Sequence, residues 1–204
     1  MAIIEPYVAS LAAAVAMKDF ANPDGYPIVS SASKSNMDVH FSSNSNEWMT
    51  PPWLFELLDN EFRFDLDCAA TKENALCKRF YTAEEDALKQ TWVNDGTMGF
   101  LNPPYGRLIG KFVTHAYQQT VNADFSVAML IPARVDTKWW HGACAFGEVR
   151  FIKGRIGFIN PTLPSYRADG NFKVSPAPFP SAIVVFGARA KMGTTRYVDY
   201  KVKK

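Results

Sequence analysis

The run Phe125–Ile131 is the feature that most constrains the fold of this chain. It is apolar apart from one serine, as is typical of a central strand covered on both faces. Apolar residues recur at helical spacing after Pro51, and Ile109–Val121 has the character of a second helix, so helices and strands alternate. The pattern predicts an α/β domain with three layers and a mostly parallel sheet, which closes with an antiparallel strand near Ser181–Phe186.

A stiff loop follows the predicted strand Met98–Leu101. In Asn102-Pro103-Pro104-Tyr105, the two prolines end the strand and hold the backbone extended. Asn102 offers one acceptor and two amide protons, and Tyr105 offers a flat ring. We expect both side chains at the rim of the loop, where they suit a planar, hydrogen-bonding substrate such as a nucleobase. On these four residues alone, a plain turn is an equal alternative.

Carboxylates and small residues end an earlier predicted strand. Phe62–Asp67 alternates apolar and polar residues and continues into Cys68-Ala69-Ala70. Open α/β sheets bind ligands at the carboxyl ends of their strands, so we expect a small-molecule site here. Cys68 has no histidine near it in the sequence and is interpreted as a small residue of the pocket wall rather than as a nucleophile.

The composition limits the setting and the partners. The 3 cysteines and 3 histidines are scattered, which predicts reduced thiols, a cytoplasmic protein and no metal site. No apolar run has transmembrane length, so we expect no membrane association. We also expect a monomer or weak dimer. We predict two parts: a helix and a Ser/Asn-rich loop in residues 1–46, and one folded domain in residues 47–204.

Basic residues are concentrated in the last quarter of the chain. Residues 150–204 carry 11 basic and 2 acidic side chains, although the formal net charge of the whole chain is only +2. A basic face provides the phosphate neutralisation that dominates non-specific affinity for nucleic acids. A merely solvated basic end explains the charge equally well.

Taken in order, these segments resemble the phage-type DNA N6-adenine methyltransferases, the Dam-like family. The resemblance is carried by Glu47–Pro51, Phe64–Ala70, Asp86–Leu88, Asn102–Tyr105, Ala128–Arg134 with Trp139-Trp140, Gly154–Phe158 and Ser181–Gly187. It implies a Rossmann-like fold that uses S-adenosylmethionine, with no metal, to methylate N6 of a flipped-out adenine in DNA. The Asn102 side-chain oxygen and the Pro103 carbonyl would accept hydrogen bonds from N6, and Tyr105 would stack on the base.

The resemblance also implies further site residues. For the cofactor they are Thr50 and Pro51 at the methionine, Asp67 at the amino-acid end, Cys68 in the wall, and Asp86 towards the adenine. Pro104 completes the catalytic loop. The expected DNA contacts are Arg107, Lys111, Arg134, Arg155, Arg167 and Lys173.

The chain departs from the family pattern in one region. No glycine-rich loop follows the first strand, and only about 35 residues separate Asp67 from Asn102, so at least one crossover helix is expected to be missing or reduced. Three functions therefore remain: DNA adenine methylation, methylation of RNA or of protein glutamine by a similar loop, and a non-catalytic nucleic-acid-binding relic of the fold.

Overall fold

A computed structural model of the chain describes residues 48–159 and 175–200. The helix and the Ser/Asn-rich loop predicted in residues 1–46 lie outside these ranges, as do Arg167 and Lys173. The described helices are α1 (Pro52–Phe62), α2 (Ile109–Thr120) and α3 (Lys138–Gly142). None of the described helices is long and apolar enough to cross a membrane.

Within the described ranges, seven strands form the main sheet and two short strands pair separately. The strands are β1 (Leu66–Asp67), β2 (Arg79–Phe80), β3 (Met98–Leu101), β4 (Ser126–Pro132), β5 (Glu148–Ile152), β6 (Gly157–Phe158), β7 (Ser175–Pro176), β8 (Ser181–Phe186) and β9 (Thr195–Val198). Their order in the main sheet is β2-β1-β3-β4-β8-β5-β9, and β6 pairs with β7. Only β8 runs against its neighbours, β4 and β5. The mostly parallel sheet with a late antiparallel strand is confirmed.

The strand directions bring the ends of several strands to one edge. Strands β1 to β4 are mutually parallel, and β5 is parallel to them because it is antiparallel to β8. The segments that follow β1, β3, β4 and β5 therefore all leave the sheet at the same edge. We call it the carboxyl edge.

Helices cover the sheet on both faces. On one face, Phe55 of α1 packs edge to face against Phe100 of β3, with ring centroids 5.2 Å apart. On the other face, Tyr117 of α2 packs against Phe186 of β8 at 5.3 Å. The strand β4 between them is buried along its whole length, as its apolar sequence predicts. The three-layer arrangement is confirmed.

The helix set is reduced, as the short spacing between Asp67 and Asn102 predicts. Residues 68–78, between the parallel strands β1 and β2, contain turns and no helix, and the next connection contains two short 3₁₀ turns, Ala87–Lys89 and Trp92–Asn94. Close packing replaces a helix here. A Cβ atom on Gly99 of β3 would lie 2.7 Å from Cys68 Sγ, which is too close for a non-bonded contact. Residue 99 is therefore a glycine so that the Cys68 thiol can pack against the β3 backbone.

Some local features differ from what the sequence predicts. The mostly apolar residues of Val149–Phe158 predict one strand, but Gly154 adopts a φ of 80° and separates β5 from β6. The position of Thr50 before two prolines predicts a helix cap, but Pro51 occupies the N-cap of α1 and the helix begins at Pro52. The edge strand β9 has three exposed residues out of four and gives no apolar signal in the sequence.

Candidate active site

A cavity of about 410 Å³ opens at the carboxyl edge, beside the ends of β1 and β3. Its size lies in the range of small-molecule sites. Six of the residues selected from the sequence line it: Thr50, Asp67, Asp86, Asn102, Pro103 and Pro104. Segments that are far apart in the sequence therefore meet around one space.

Asn102 is held by its amide nitrogen, which leaves its oxygen without a partner. Nδ2 donates to the Trp48 carbonyl oxygen at 2.5 Å and to Thr50 Oγ1 at 2.9 Å. Oδ1 is buried and has no hydrogen-bond partner among the described residues. Buried polar atoms are nearly always paired, so an unpaired acceptor beside a cavity indicates a place where a ligand supplies the donor.

Thr50 and Pro51 are both buried. Thr50 is 7% exposed and lines the cavity, and its hydroxyl oxygen accepts a hydrogen bond from Asn102 Nδ2 rather than from the N–H groups of a helix end. Pro51 precedes the first turn of α1 and lies outside the cavity lining, in which Pro52 takes part. Thr50 and Pro51 thus connect the cavity lining to the start of α1.

Asp67 organises the connection that stands in place of a glycine-rich loop. Its carboxylate accepts hydrogen bonds from the backbone N–H groups of Ala69 at 3.3 Å and Leu76 at 3.1 Å. The side chain is 3% exposed, and burial raises its pKa to about 6 despite these two bonds. No cation of the described part of the chain pairs with this buried carboxylate, which therefore suits a ligand that brings a positive charge.

Cys68 and Asp86 take different positions relative to the cavity. Cys68 is fully buried, its thiol fills the space above Gly99, and burial raises its pKa well above the usual value. The expected place in the pocket wall is therefore wrong for its side chain, which lies behind the wall. Asp86 lines the cavity and accepts a hydrogen bond from the Leu88 N–H at 3.3 Å. Its bond to Lys89, 3.0 Å away, lowers its pKa.

The ring of Tyr105 is not at the rim of the loop, where the sequence places it. It is 5% exposed, its hydroxyl donates to the Leu130 carbonyl oxygen at 3.0 Å, and its ring packs edge to face against Phe158 at 5.9 Å. The hydroxyl needs an acceptor and the ring fills a gap in the core, so both are satisfied inside the protein. The ring anchors the loop from behind.

The four predicted DNA contacts that lie in the described ranges follow three strands at the carboxyl edge. Arg107 and Lys111 come after β3, Arg134 after β4 and Arg155 after β5. Arg134 is half-buried, and the other three are exposed. They therefore border the same side of the sheet as the cavity.

The sequence reasoning missed several residues of the site. Trp48 contributes its carbonyl to Asn102, and Leu76, Leu108, Phe112 and Ile159 line the cavity. The pair Ala69-Ala70 was a usable signal for a close-packed connection, whereas a backbone carbonyl such as that of Trp48 has no signature in a sequence. No group of three or more potential metal ligands occurs in residues 48–159 or 175–200.

The sheet order and the cavity at its carboxyl edge define a Rossmann-like methyltransferase fold. The family model for DNA N-6-adenine-methyltransferase (Dam) matches residues 35–187. The match covers well over half of the sequence, and the chain belongs to this family.

Two curated relatives agree with this assignment. A DNA N-6-adenine-methyltransferase of Haemophilus phage HP1 is 31% identical over 158 residues, which span 76% of this chain and 86% of the relative. Another of Escherichia phage T1 is 36% identical over 125 residues, 61% of this chain and 48% of the relative. Among solved structures, a protein described as a predicted O-methyltransferase from Agrobacterium tumefaciens aligns over 52% of this chain and 40% of its own, at 16% identity with a TM-score of 0.25. That likeness is too low to support any further conclusion.

Proposed function

We propose that this protein transfers a methyl group from S-adenosylmethionine to N6 of an adenine in DNA. The observation that carries the proposal is the buried Asn102 Oδ1, which lies beside the cavity and has no partner in residues 48–159 or 175–200, while both protons of the amide nitrogen are engaged. The names of the phage relatives support DNA adenine as the substrate.

The residues around the cavity fit the cofactor. When bound, S-adenosylmethionine supplies a methyl group on a positively charged sulfur, which makes the methyl carbon electrophilic. Asp67 presents a buried carboxylate for the ammonium of the amino-acid end, and Thr50 lines the cavity for the methionine chain. Asp86 stands at the 3₁₀ turn Ala87–Lys89, where Ala87 and Leu88 offer apolar surface for the adenine ring.

The Asn-Pro-Pro-Tyr loop acts on the amino group of the target base. The lone pair of adenine N6 is delocalised into the ring, so the free amino group is a weak nucleophile. Asn102 Oδ1 and the Pro103 carbonyl oxygen accept hydrogen bonds from N6–H and stabilise the positive, tetrahedral nitrogen that develops during transfer. Such contacts accelerate the step because they are stronger in the transition state than in the ground state.

The DNA must deliver its base to this loop. An adenine inside a duplex does not reach a cavity at a sheet edge, so the base has to leave the stack. Tyr105, anchored to Leu130, does not stack on it in this arrangement and instead keeps the loop rigid. Arg107, Lys111, Arg134 and Arg155 neutralise phosphates along the carboxyl edge, and we extend the same role to Arg167 and Lys173.

Identifying the labelled product tests the proposal. The protein is produced in a host without adenine methyltransferases and incubated with tritium-labelled S-adenosylmethionine and either unmethylated genomic DNA, RNA or a protein mixture. Each product is then digested and separated. We expect N6-methyladenine from DNA alone, and none with Asn102→Ala as the control for contaminating enzymes. Label in RNA or in protein glutamine, or methylcytosine in the DNA, would overturn the proposal.

A further inference from the structure

We infer that Thr50 is a positioning residue, which together with the Trp48 carbonyl fixes the orientation of the Asn102 amide. The inference rests on the proposed function and deepens it. An asparagine amide has two donor protons on one side and an acceptor on the other. Here both donors have partners, the Trp48 carbonyl and Thr50 Oγ1, so the acceptor is the end that remains for the substrate.

The Trp48 carbonyl determines which end of the amide faces it. A carbonyl oxygen accepts hydrogen bonds and donates none, so a flipped Asn102 would place Oδ1 against another acceptor 2.5 Å away. Thr50 Oγ1 takes the second amide proton at 2.9 Å, and together they hold the amide at two points. An amide fixed in this way presents only an acceptor and selects a base with an amino group over one with a keto oxygen.

The two partners are themselves fixed to another part of the chain. Met49, which lies between them, exchanges two backbone hydrogen bonds with Ile159, at 3.0 and 3.1 Å. The Trp48 ring packs edge to face against Phe158 at 5.7 Å. The orientation of Asn102 therefore depends on the segment that follows β5, although Asn102 follows β3.

The same geometry favours an amide over a carboxylate at position 102. An ionised aspartate has no proton to donate to the Trp48 carbonyl, and it would place a negative oxygen against that carbonyl oxygen. We therefore expect Asn102→Asp to lose most of the single-turnover rate on DNA at neutral pH.

Removing the hydroxyl of Thr50 is the direct test. Thr50→Val keeps the size and branching of the side chain but leaves one buried amide proton of Asn102 without an acceptor. Thr50→Ser, the matched control, keeps the hydroxyl. We expect the single-turnover rate on DNA to fall about ten- to a hundredfold in Thr50→Val and to stay within about threefold in Thr50→Ser. Both rates are measured at saturating S-adenosylmethionine, because Thr50 also lines the cavity proposed for the cofactor and its loss can weaken cofactor binding. A wild-type rate in Thr50→Val, or equal losses in both variants, would overturn the inference.

A measurement without turnover separates this inference from the proposed function. The side-chain amide protons of Asn102, assigned in an NMR spectrum by their loss in Asn102→Ala, should exchange slowly with solvent in the wild type and in Thr50→Ser. In Thr50→Val one of them should exchange faster. Fast exchange in the wild type would refute the orientation even if DNA is methylated. Slow exchange without methylation of DNA would instead refute the proposed function.

Discussion

Two polar clusters in this protein differ in how their buried polar groups are paired. At one, Arg150 and Glu148 of β5 are buried, and nearly every charge has a partner: Arg150 binds Glu148 at 2.8 Å and Glu61 of α1 at 2.7 Å. At the other, Asn102 Oδ1 is unpaired and Asp67 has no cation beside it among the described residues. The first cluster ties α1 to the sheet, and the second leaves partners for a ligand to supply.

The pKa shifts show the same contrast. Burial would raise the pKa of Glu148, but the Lys191 N–H and Arg150 outweigh it, and the pKa is lowered. Burial would likewise lower the pKa of Arg150, yet its bonds, that to Glu61 first, raise it. At Asp67 burial prevails and raises the pKa to about 6. The protein itself stabilises the charged form of the structural carboxylate, whereas it supplies no countercharge among the described residues for the carboxylate at the cavity.

The largest effect on stability should come from breaking the paired cluster. Arg150→Ala leaves Glu148, which is 1% exposed, short of its main countercharge and should cost about 3–5 kcal/mol of unfolding free energy. Asn102→Ala, the control at the cavity, should cost only about 1 kcal/mol. Denaturant unfolding of both variants measures the difference. Equal losses would remove the distinction between the two clusters.

A pH titration of cofactor binding tests the unpaired cluster. Asp67 is ionised above about pH 6 and then attracts the ammonium of the ligand, and below that pH it becomes protonated and the attraction is lost. The affinity for S-adenosylhomocysteine should therefore be flat from pH 7 to 8 and fall by up to about tenfold per unit below pH 6. Calorimetry should show weaker, pH-independent binding in Asp67→Asn. A pH-dependent fall that persists in Asp67→Asn would assign it to another group.

The smallest effect concerns the basic residues at the carboxyl edge. Arg107→Gln and Arg155→Gln should each reduce the slope of log affinity for DNA against log salt by about 0.9, the value for one phosphate contact. Lys191→Gln is a matched control, because this exposed residue lies near the start of β5, at the other edge of the sheet. Slopes that change equally in all three variants would show that the carboxyl edge is not the DNA-binding side.

The general architecture follows from the sequence, whereas several contacts do not. The apolar run Phe125–Ile131 required a strand buried on both faces, and β4 is that strand. The short spacing from Asp67 to Asn102 required lost helices, and they are absent from residues 68–97. These predictions hold because the hydrophobic periodicity of a segment and the number of residues between two motifs can be determined from the sequence alone.

The site was less predictable because its geometry depends on distant partners. Asp65 and Asp67 are similar in sequence, yet Asp65 binds the N–H groups of Thr97 and Met98 at the start of β3, while Asp67 faces the cavity. Nothing local indicates that Tyr105 would turn inward to Leu130. Tertiary packing decided both.

The central claim is that Asn102 Oδ1 accepts the amino group of the substrate base. The single-turnover rate of methyl transfer to unmethylated DNA, at saturating S-adenosylmethionine, tests it directly in Asn102→Ala against the wild type. We expect the rate to fall at least about a hundredfold, as when a donor or acceptor that stabilises a transition state is removed. The affinity for S-adenosylhomocysteine should remain that of the wild type. A rate near that of the wild type would contradict the claim.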